Sequence, residues 1–275
     1  MVHPITQIFS TALIMEISIF FLFSKKRKIS LFAMICSAPL GWIFEIVSIS
    51  IGLWTYSISQ LVPIFGLPLP IWFGWVFVTW YGALIITNSI DFINNEKLMK
   101  DKTENQRILY TWLFSSLMYM GPVLWGILFT MPWFFLFNAV SQNSIFLNGF
   151  TWNIFDYFGL DIFQYIFWLS LILIGTFFLS FFLVKIRNLK ENKFKFYGGI
   201  LISAAVLTPL GWGIEFFGVN SHTPIWSYTQ NHPLLLIGPY NVPIIVYIGW
   251  FFILMINSLV IFLKAKHDIF SNNEA

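Results

Sequence analysis

Charge is scarce in this chain. Only 10% of its 275 residues are Asp, Glu, Lys or Arg, while 58% are apolar; an average soluble domain carries about 25% charged residues. The net charge of +3 is therefore no sign of a nucleic-acid surface, and no nucleic-acid partner is expected. Cysteine is nearly absent. Cys36 stands alone, which excludes a disulfide, a zinc site or a thiol relay within one chain. No Asp-rich motif offers a magnesium site. His222 and His232 have no third ligand at metal spacing, so neither a metal nor another cofactor is expected. No charged n-region precedes the first apolar run, which predicts no cleavable signal peptide.

Basic residues are also missing from almost the whole length. All 15 Lys and Arg fall in four clusters: 25–28, 97–107, 185–195 and 264–266. A transmembrane helix needs about 20 mostly apolar residues, and runs of that kind lie at about 5–23, 29–51, 69–90, 108–130, 161–184, 196–218 and 240–263. The clusters occupy every second gap between them. By the positive-inside rule this predicts an integral protein of the plasma (cytoplasmic) membrane with its N-terminus outside and its C-terminus cytoplasmic. The fold class expected is all-α and polytopic, with seven transmembrane helices. Membrane lipids are the partners of the basic clusters. Segment 131–150 is apolar but too short to span, and reads as interfacial or re-entrant.

The chain repeats itself. Pro39-Leu40-Gly41-Trp42-Ile43-Phe44-Glu45 returns as Pro209-Leu210-Gly211-Trp212-Gly213-Ile214-Glu215. Trp54-Thr55-Tyr56 returns as Trp226-Ser227-Tyr228. With small gaps, Gly66, Pro68 or Pro70, and Gly74-Trp75 parallel Gly238, Pro243 and Gly249-Trp250, and Asn88-Ser89 parallels Asn257-Ser258. This predicts a first three-helix repeat over 1–90, a cytoplasmic loop, connector helix and outer interfacial segment over 91–160, and a second three-helix repeat over 161–275. An odd connector gives both triplets one orientation: a parallel 3+1+3 repeat about an axis near the membrane normal, as in some transporters.

Three acids fall inside the expected spans: Glu16, Glu45 and Glu215. Each costs about 2.5–3.5 kcal/mol to insert, and no Lys or Arg lies in any span to pair with it. Glu45 and Glu215 are thus expected to stay largely protonated, or to be held by hydrogen bonds from Trp, Tyr, Ser or water. A neutral carboxyl in a dry aromatic site is a proton donor. Gly41 and Trp42 lie on the helical face of Glu45, as Gly211 and Trp212 do for Glu215. The catalytic candidates are Glu45 and Glu215. The candidates for binding substrate are Trp42, Trp54, Tyr56, Trp212, His222, Trp226, Tyr228 and Asn241, with the repeated Trp-x-Tyr as a lid. Polar groups in the second half's outer loop, His222 and Asn241, favour an ionised neighbour there, which makes Glu45 the expected proton donor and Glu215 its partner. A packing role, in which the two acids bond across a helix interface, is the competing reading.

The order Glu45, Gly52, Trp54, Tyr56, Gly66, Pro68, Gly74-Trp75, followed by Glu215, Gly218, Trp226, Tyr228, Gly238, Pro243, Gly249-Trp250, resembles the integral-membrane carotenoid hydratases and the related lycopene-cyclase domains. The resemblance consists of scattered residues over both triplets. It implies three-helix units whose acids protonate a polyene, giving a carbocation that cyclises or takes up water. The Pro-x-Glu-Glu-type motif of lycopene cyclases is missing: the places read Pro68-Leu69-Pro70-Ile71-Trp72 and Val242-Pro243-Ile244-Ile245. The expected function is protonation of an alkene or epoxide of a hydrophobic isoprenoid substrate, a carotenoid or terpenoid. The alternative is a small-molecule or lipid transporter built from 3+1+3 repeats. A covalent retinal is excluded, because the last span has no lysine before Lys264 for a Schiff base.

Overall fold

The computed structural model describes residues 27–56, 65–67, 69–120, 162–186, 193–220, 226–229, 232, 236 and 241–271. The first expected span, Glu16, segment 131–150 and His222 lie outside the described residues. Among the described residues, seven helices and two short strands follow in order. They are α1 (Arg27–Ser50), β1 (Trp54–Tyr56), α2 (Leu69–Ile93), the single-turn α3 (Glu96–Met99), α4 (104–120), α5 (Ile162–Ile186), α6 (Lys193–Asn220), β2 (Trp226–Tyr228) and α7 (Ile244–Ser271). Three helical runs, Lys28–Ser50, Gly74–Ile93 and Ile244–Lys264, are long and apolar enough to cross a membrane; Leu169–Lys185 and Tyr197–Trp212 are shorter apolar stretches.

The burial pattern of α1 suits lipid better than water. Its inward stripe is small or polar: Ser30, Ala33, Ser37, Ala38, Gly41, Glu45 and Ser48 are buried. Its outward stripe is Leu31, Phe32, Ile35, Ile43 and Val47, all exposed. A soluble helix puts the large apolar residues inward. Helices in hydrocarbon do the reverse, because close backbone approach and interhelical hydrogen bonds hold them together. Buried hydroxyls bond back to their own helix, as Ser37 Oγ does to the Ala33 carbonyl at 2.7 Å.

Helix α1 packs on α2 and α7, α6 packs on α5 and α7, and α2 touches α7. Polar contacts knit α4 into the bundle. The Tyr81 hydroxyl lies 2.9 Å from the Met118 carbonyl and 2.5 Å from that of Tyr119. Ser89 meets Ser115, and Ser116 meets Thr176, each at 2.8 Å. The Trp112 indole N–H donates to the Leu173 carbonyl at 2.9 Å.

The two Trp-x-Tyr segments, expected as loop, are paired. Strands β1 and β2 run antiparallel with Trp54 opposite Tyr228, Thr55 opposite Ser227 and Tyr56 opposite Trp226. Strand alternation puts the rings on one side and the hydroxyls on the other. Trp54, Trp226 and Tyr228 are buried, while Thr55 and Ser227 are exposed. Gly52, at φ 75°, makes the turn from α1 into β1. Its N–H donates to Ile49 O at 2.9 Å and that of Leu53 to Ser48 O at 2.9 Å, the Schellman pattern that needs a left-handed residue at this place.

Candidate functional site

Glu45 and Glu215 sit on the buried faces of α1 and α6, each 6% exposed. Each is wrapped by indole and phenol donors drawn from several elements. Glu45 Oε2 accepts from the Trp54 indole at 3.0 Å and from the Tyr56 hydroxyl at 2.6 Å; its Oε1 accepts from the Trp75 indole at 3.2 Å. Glu215 Oε2 accepts from the Tyr228 hydroxyl at 2.5 Å, and its Oε1 from the Trp250 indole at 2.8 Å. Neither carboxyl has a basic partner among the described residues. The tyrosine and helix-tryptophan pairs of donors thus reach their own glutamates. The Trp226 indole, counterpart of Trp54, donates to the Tyr228 hydroxyl at 3.4 Å and is also a donor to Glu215.

The two carboxyls are linked through their tryptophans. Trp75 and Trp250 stack face to face, ring centroids 3.9 Å apart and planes 17° from parallel. Over the ribbon, Trp54 meets Tyr228 edge-on at 5.6 Å and Tyr56 meets Trp226 at 5.9 Å. Burial, and after it the charge of the neighbouring carboxyl, holds the Tyr56 and Tyr228 hydroxyls well above the usual phenol range. Both therefore keep their protons and remain available as donors.

The repeated glycines have a steric explanation. A Cβ on Gly41 would overlap the Trp75 indole, and one on Gly211 would overlap that of Trp250. Each indole lies flat on the neighbouring helix, one turn before the glutamate it bonds. The repeated Trp42 and Trp212 do not reach the carboxyls. Their N–H groups donate to the carbonyls of Trp72 at 3.1 Å and Tyr247 at 3.3 Å, tying α1 to α2 and α6 to α7.

The structure brings Glu45, Glu215, Trp54, Tyr56, Trp226 and Tyr228 into one cluster. Asn241 is exposed and sits at φ 60°, a left-handed conformation that Asn tolerates better than most residues. The site residues that sequence reasoning passed over are Trp75 and Trp250. Their signal was present, since Gly-Trp recurs in both repeats at Gly74-Trp75 and Gly249-Trp250, but it reads only as a repeat marker.

Fold and site define a helical protein with, among the described residues, three helices long and apolar enough to cross a membrane and a duplicated, buried carboxyl centre walled by tryptophan. As to relatives, no family model, curated protein or solved structure matches the chain.

Proposed function

We propose that the chain is an integral-membrane enzyme that protonates an alkene or epoxide of a hydrophobic isoprenoid. The observation that carries this reading is the pair of buried carboxyls, without cations, held by Trp and Tyr donors and joined through one indole stack. The protonated carboxyl gives its proton to one alkene carbon, and the other carbon becomes a cation. The cation is attacked by a second double bond of the same molecule, closing a ring and moving the charge to a new carbon, or stays where it is. In either case it then loses a neighbouring proton to the carboxylate partner to leave a double bond, or takes up water, whose surplus proton goes to that carboxylate. Indole faces stabilise a desolvated cation by about 2 kcal/mol or more. Donors favour the ionised form of the carboxyl they serve. Glu45 and Glu215 are each served by a tyrosine hydroxyl, a helix tryptophan and a strand tryptophan, so one proton is shared between them and one carboxyl acts as the acid while the other acts as the base.

The arrangement proposed around this site is the seven-span parallel 3+1+3 repeat. It is supported by residues that touch their own counterparts: Thr55 faces Ser227, Trp75 stacks on Trp250, and Gly82 lies beside Asn257. Only residues near a two-fold axis can do so. Trp75 and Gly82 are two turns apart on α2, so the axis runs along that helix. In a chain free of Cys36, single cysteines at Thr103 and Ser227 should be labelled from opposite sides of the membrane. Labelling of both from one side would overturn the topology.

The acid–base reading is tested by Glu45→Gln and Glu215→Gln. Gln keeps the shape and removes the transferable proton. Lipid extracts of cells expressing the chain should contain a modified isoprenoid, reduced by about 10²–10⁴-fold in either variant. Full activity in both sinks the reading. A second reading, a structural clasp that ties the ribbon to the bundle, is favoured by donors on every carboxylate oxygen. It predicts that both variants lose thermal stability while the lipid profile never depended on the chain.

A further inference from the structure

Both carboxyls are shut in by the residues around them. All four of their oxygens accept a hydrogen bond. The donors are of two kinds. Trp75 and Trp250 are fixed, each pressed between the other's ring and the glycine notch of the neighbouring helix. The rest hang on the strands, and each strand serves its own half: Trp54 and Tyr56 of β1 bond Glu45, and Tyr228 and Trp226 of β2 serve Glu215. The strands hold each other by little. Three residue pairs make the ladder. Across it, Trp54 meets Tyr228 and Tyr56 meets Trp226 edge to face. Just beyond it, the Thr229 N–H donates to Leu53 O at 2.8 Å and the Thr229 hydroxyl to Gly52 O at 2.6 Å. A two-stranded ribbon of this kind is marginally stable by itself.

We propose that β1 and β2 are the two leaves of a gate, which parts between Thr55 and Ser227 and so uncovers the carboxyls. Each leaf follows its own helix and bonds its own glutamate, so the seam between the leaves is also the seam between the halves. Gly52, left-handed at φ 75°, is the hinge of the first leaf; hinges are a few loop or element-terminal residues of this kind. Thr229 of the second leaf latches onto that hinge through the Gly52 carbonyl. A leaf that swings out takes its phenol and indole with it and frees Oε2 of its glutamate. Trp75 and Trp250 stay behind and keep Oε1. The open site presents one free oxygen per carboxyl above a floor of stacked indole. That floor suits an uncharged apolar molecule with one reactive double bond or epoxide. That such a substrate enters here rests on the acid–base reading above; the parting of the leaves does not.

The test bridges the leaves. Thr55 and Ser227 are exposed and face each other, their hydroxyl oxygens 3.4 Å apart. Thr55→Cys with Ser227→Cys, in a chain free of Cys36, can be joined by a short, reducible bis-thiosulfonate. The same variant capped with a monofunctional thiosulfonate keeps its leaves free. Both are placed in phospholipid nanodiscs, with near-ultraviolet circular dichroism as the check on fold. They are then exposed at mildly acid pH to dicyclohexylcarbodiimide, an apolar reagent that adds to protonated carboxyls. Mass spectrometry of the digested chain reads the label on Glu45 and Glu215. The capped chain should be labelled. The bridged chain should lose that labelling, and a reductant should restore it. Thr229→Val, which removes one bond across the seam, should be labelled roughly fivefold faster than the parent, the worth of one hydrogen bond. Labelling that ignores the bridge, no labelling in any state, or Thr229→Val no faster than the parent would overturn the proposal. Thr229→Val decides it alone if the double variant does not fold. Gated labelling in a chain without isoprenoid turnover leaves the gate standing and removes the enzymatic reading. Turnover that survives the bridge does the opposite.

Discussion

The two halves of the molecule agree at the indoles on the helices and part company at the edges. In the first half, Glu45 holds three donors and Phe44 rests against α7 at Gly249, where an added Cβ would come 3.2 Å from its ring. In the second half, the Trp226 indole lies on the Tyr228 hydroxyl at 3.4 Å, and the matching notch at Gly74 has nothing within 4 Å among the described residues. Helix α1 accordingly lies along α7 far more closely than α6 lies along α2. Common to both halves are the glycine, the tryptophan laid on it, and the glutamate one turn on. That unit is constrained by overlap of atoms, which tolerates no compromise. The contacts that differ are edge contacts and single hydrogen bonds, which a half can lose for about 1 kcal/mol each. Sameness between the halves therefore marks what the site requires, and difference marks where it specialises.

The constrained unit is the first thing to break. Gly41→Ala and Gly211→Ala each place a methyl inside an indole ring that is pinned on its far face by the other tryptophan. Neither ring can move without opening the stack. Overpacking of this kind costs about 1–3 kcal/mol or more, well beyond the up to about 1 kcal/mol that a helix gains from Gly→Ala. Both variants should melt earlier in detergent, by similar amounts, and lose the near-ultraviolet circular dichroism of the stacked pair. A large drop in one half and none in the other would mean that the halves are not equivalent at their centre.

Much of this centre was legible in the sequence. The seven-residue match contains the glutamate, the glycine and a tryptophan, and burying an acid in an apolar run is too costly to happen twice by accident. At its far end the repeat also fits a register other than the one that sets Gly66 against Gly238 and Asn88 against Asn257. The register that lays Trp75 on Trp250 puts Gly66 on Asn241, Pro68 on Pro243 and Gly82 on Asn257. The backbone agrees: Gly66 has φ 80° and Asn241 φ 60°, and the next residues, Leu67 and Val242, are both fully buried. A left-handed turn accepts Gly or Asn, so residue identity hid what conformation kept. Asn88 and Asn257 also bond differently: the Asn257 amide donates to the Thr79 carbonyl on α2, while Asn88 bonds within its own helix at 2.8 Å. The ribbon was hidden for another reason. Three residues per strand are too few to show alternation, and the pairing is long-range. Which atom Trp226 reaches is a matter of a fraction of an ångström, and no spacing rule encodes that.

The smallest effect should come from the two glycines that precede the stacked tryptophans, and it should differ in sign. Both are helical, so both substitutions to Ala gain about 0.5–1 kcal/mol from the backbone. At Gly74 nothing described opposes the methyl, so the gain stands and Gly74→Ala should melt slightly later. At Gly249 the methyl would sit 3.2 Å from the Phe44 ring tip and 3.4 Å from the neighbouring ring carbon. That is tighter than ordinary contact, so α1 must ease away from α7 by a few tenths of an ångström. Phe44 also packs on Trp54 at 5.6 Å, and Trp54 donates to Glu45 at 3.0 Å. Displacing the phenylalanine thus loosens that hydrogen bond. Gly249→Ala should melt at or slightly below the parent. Equal stabilisation by both substitutions would show that Phe44 yields freely, and that the close packing of α1 on α7 contributes nothing to the difference at the site.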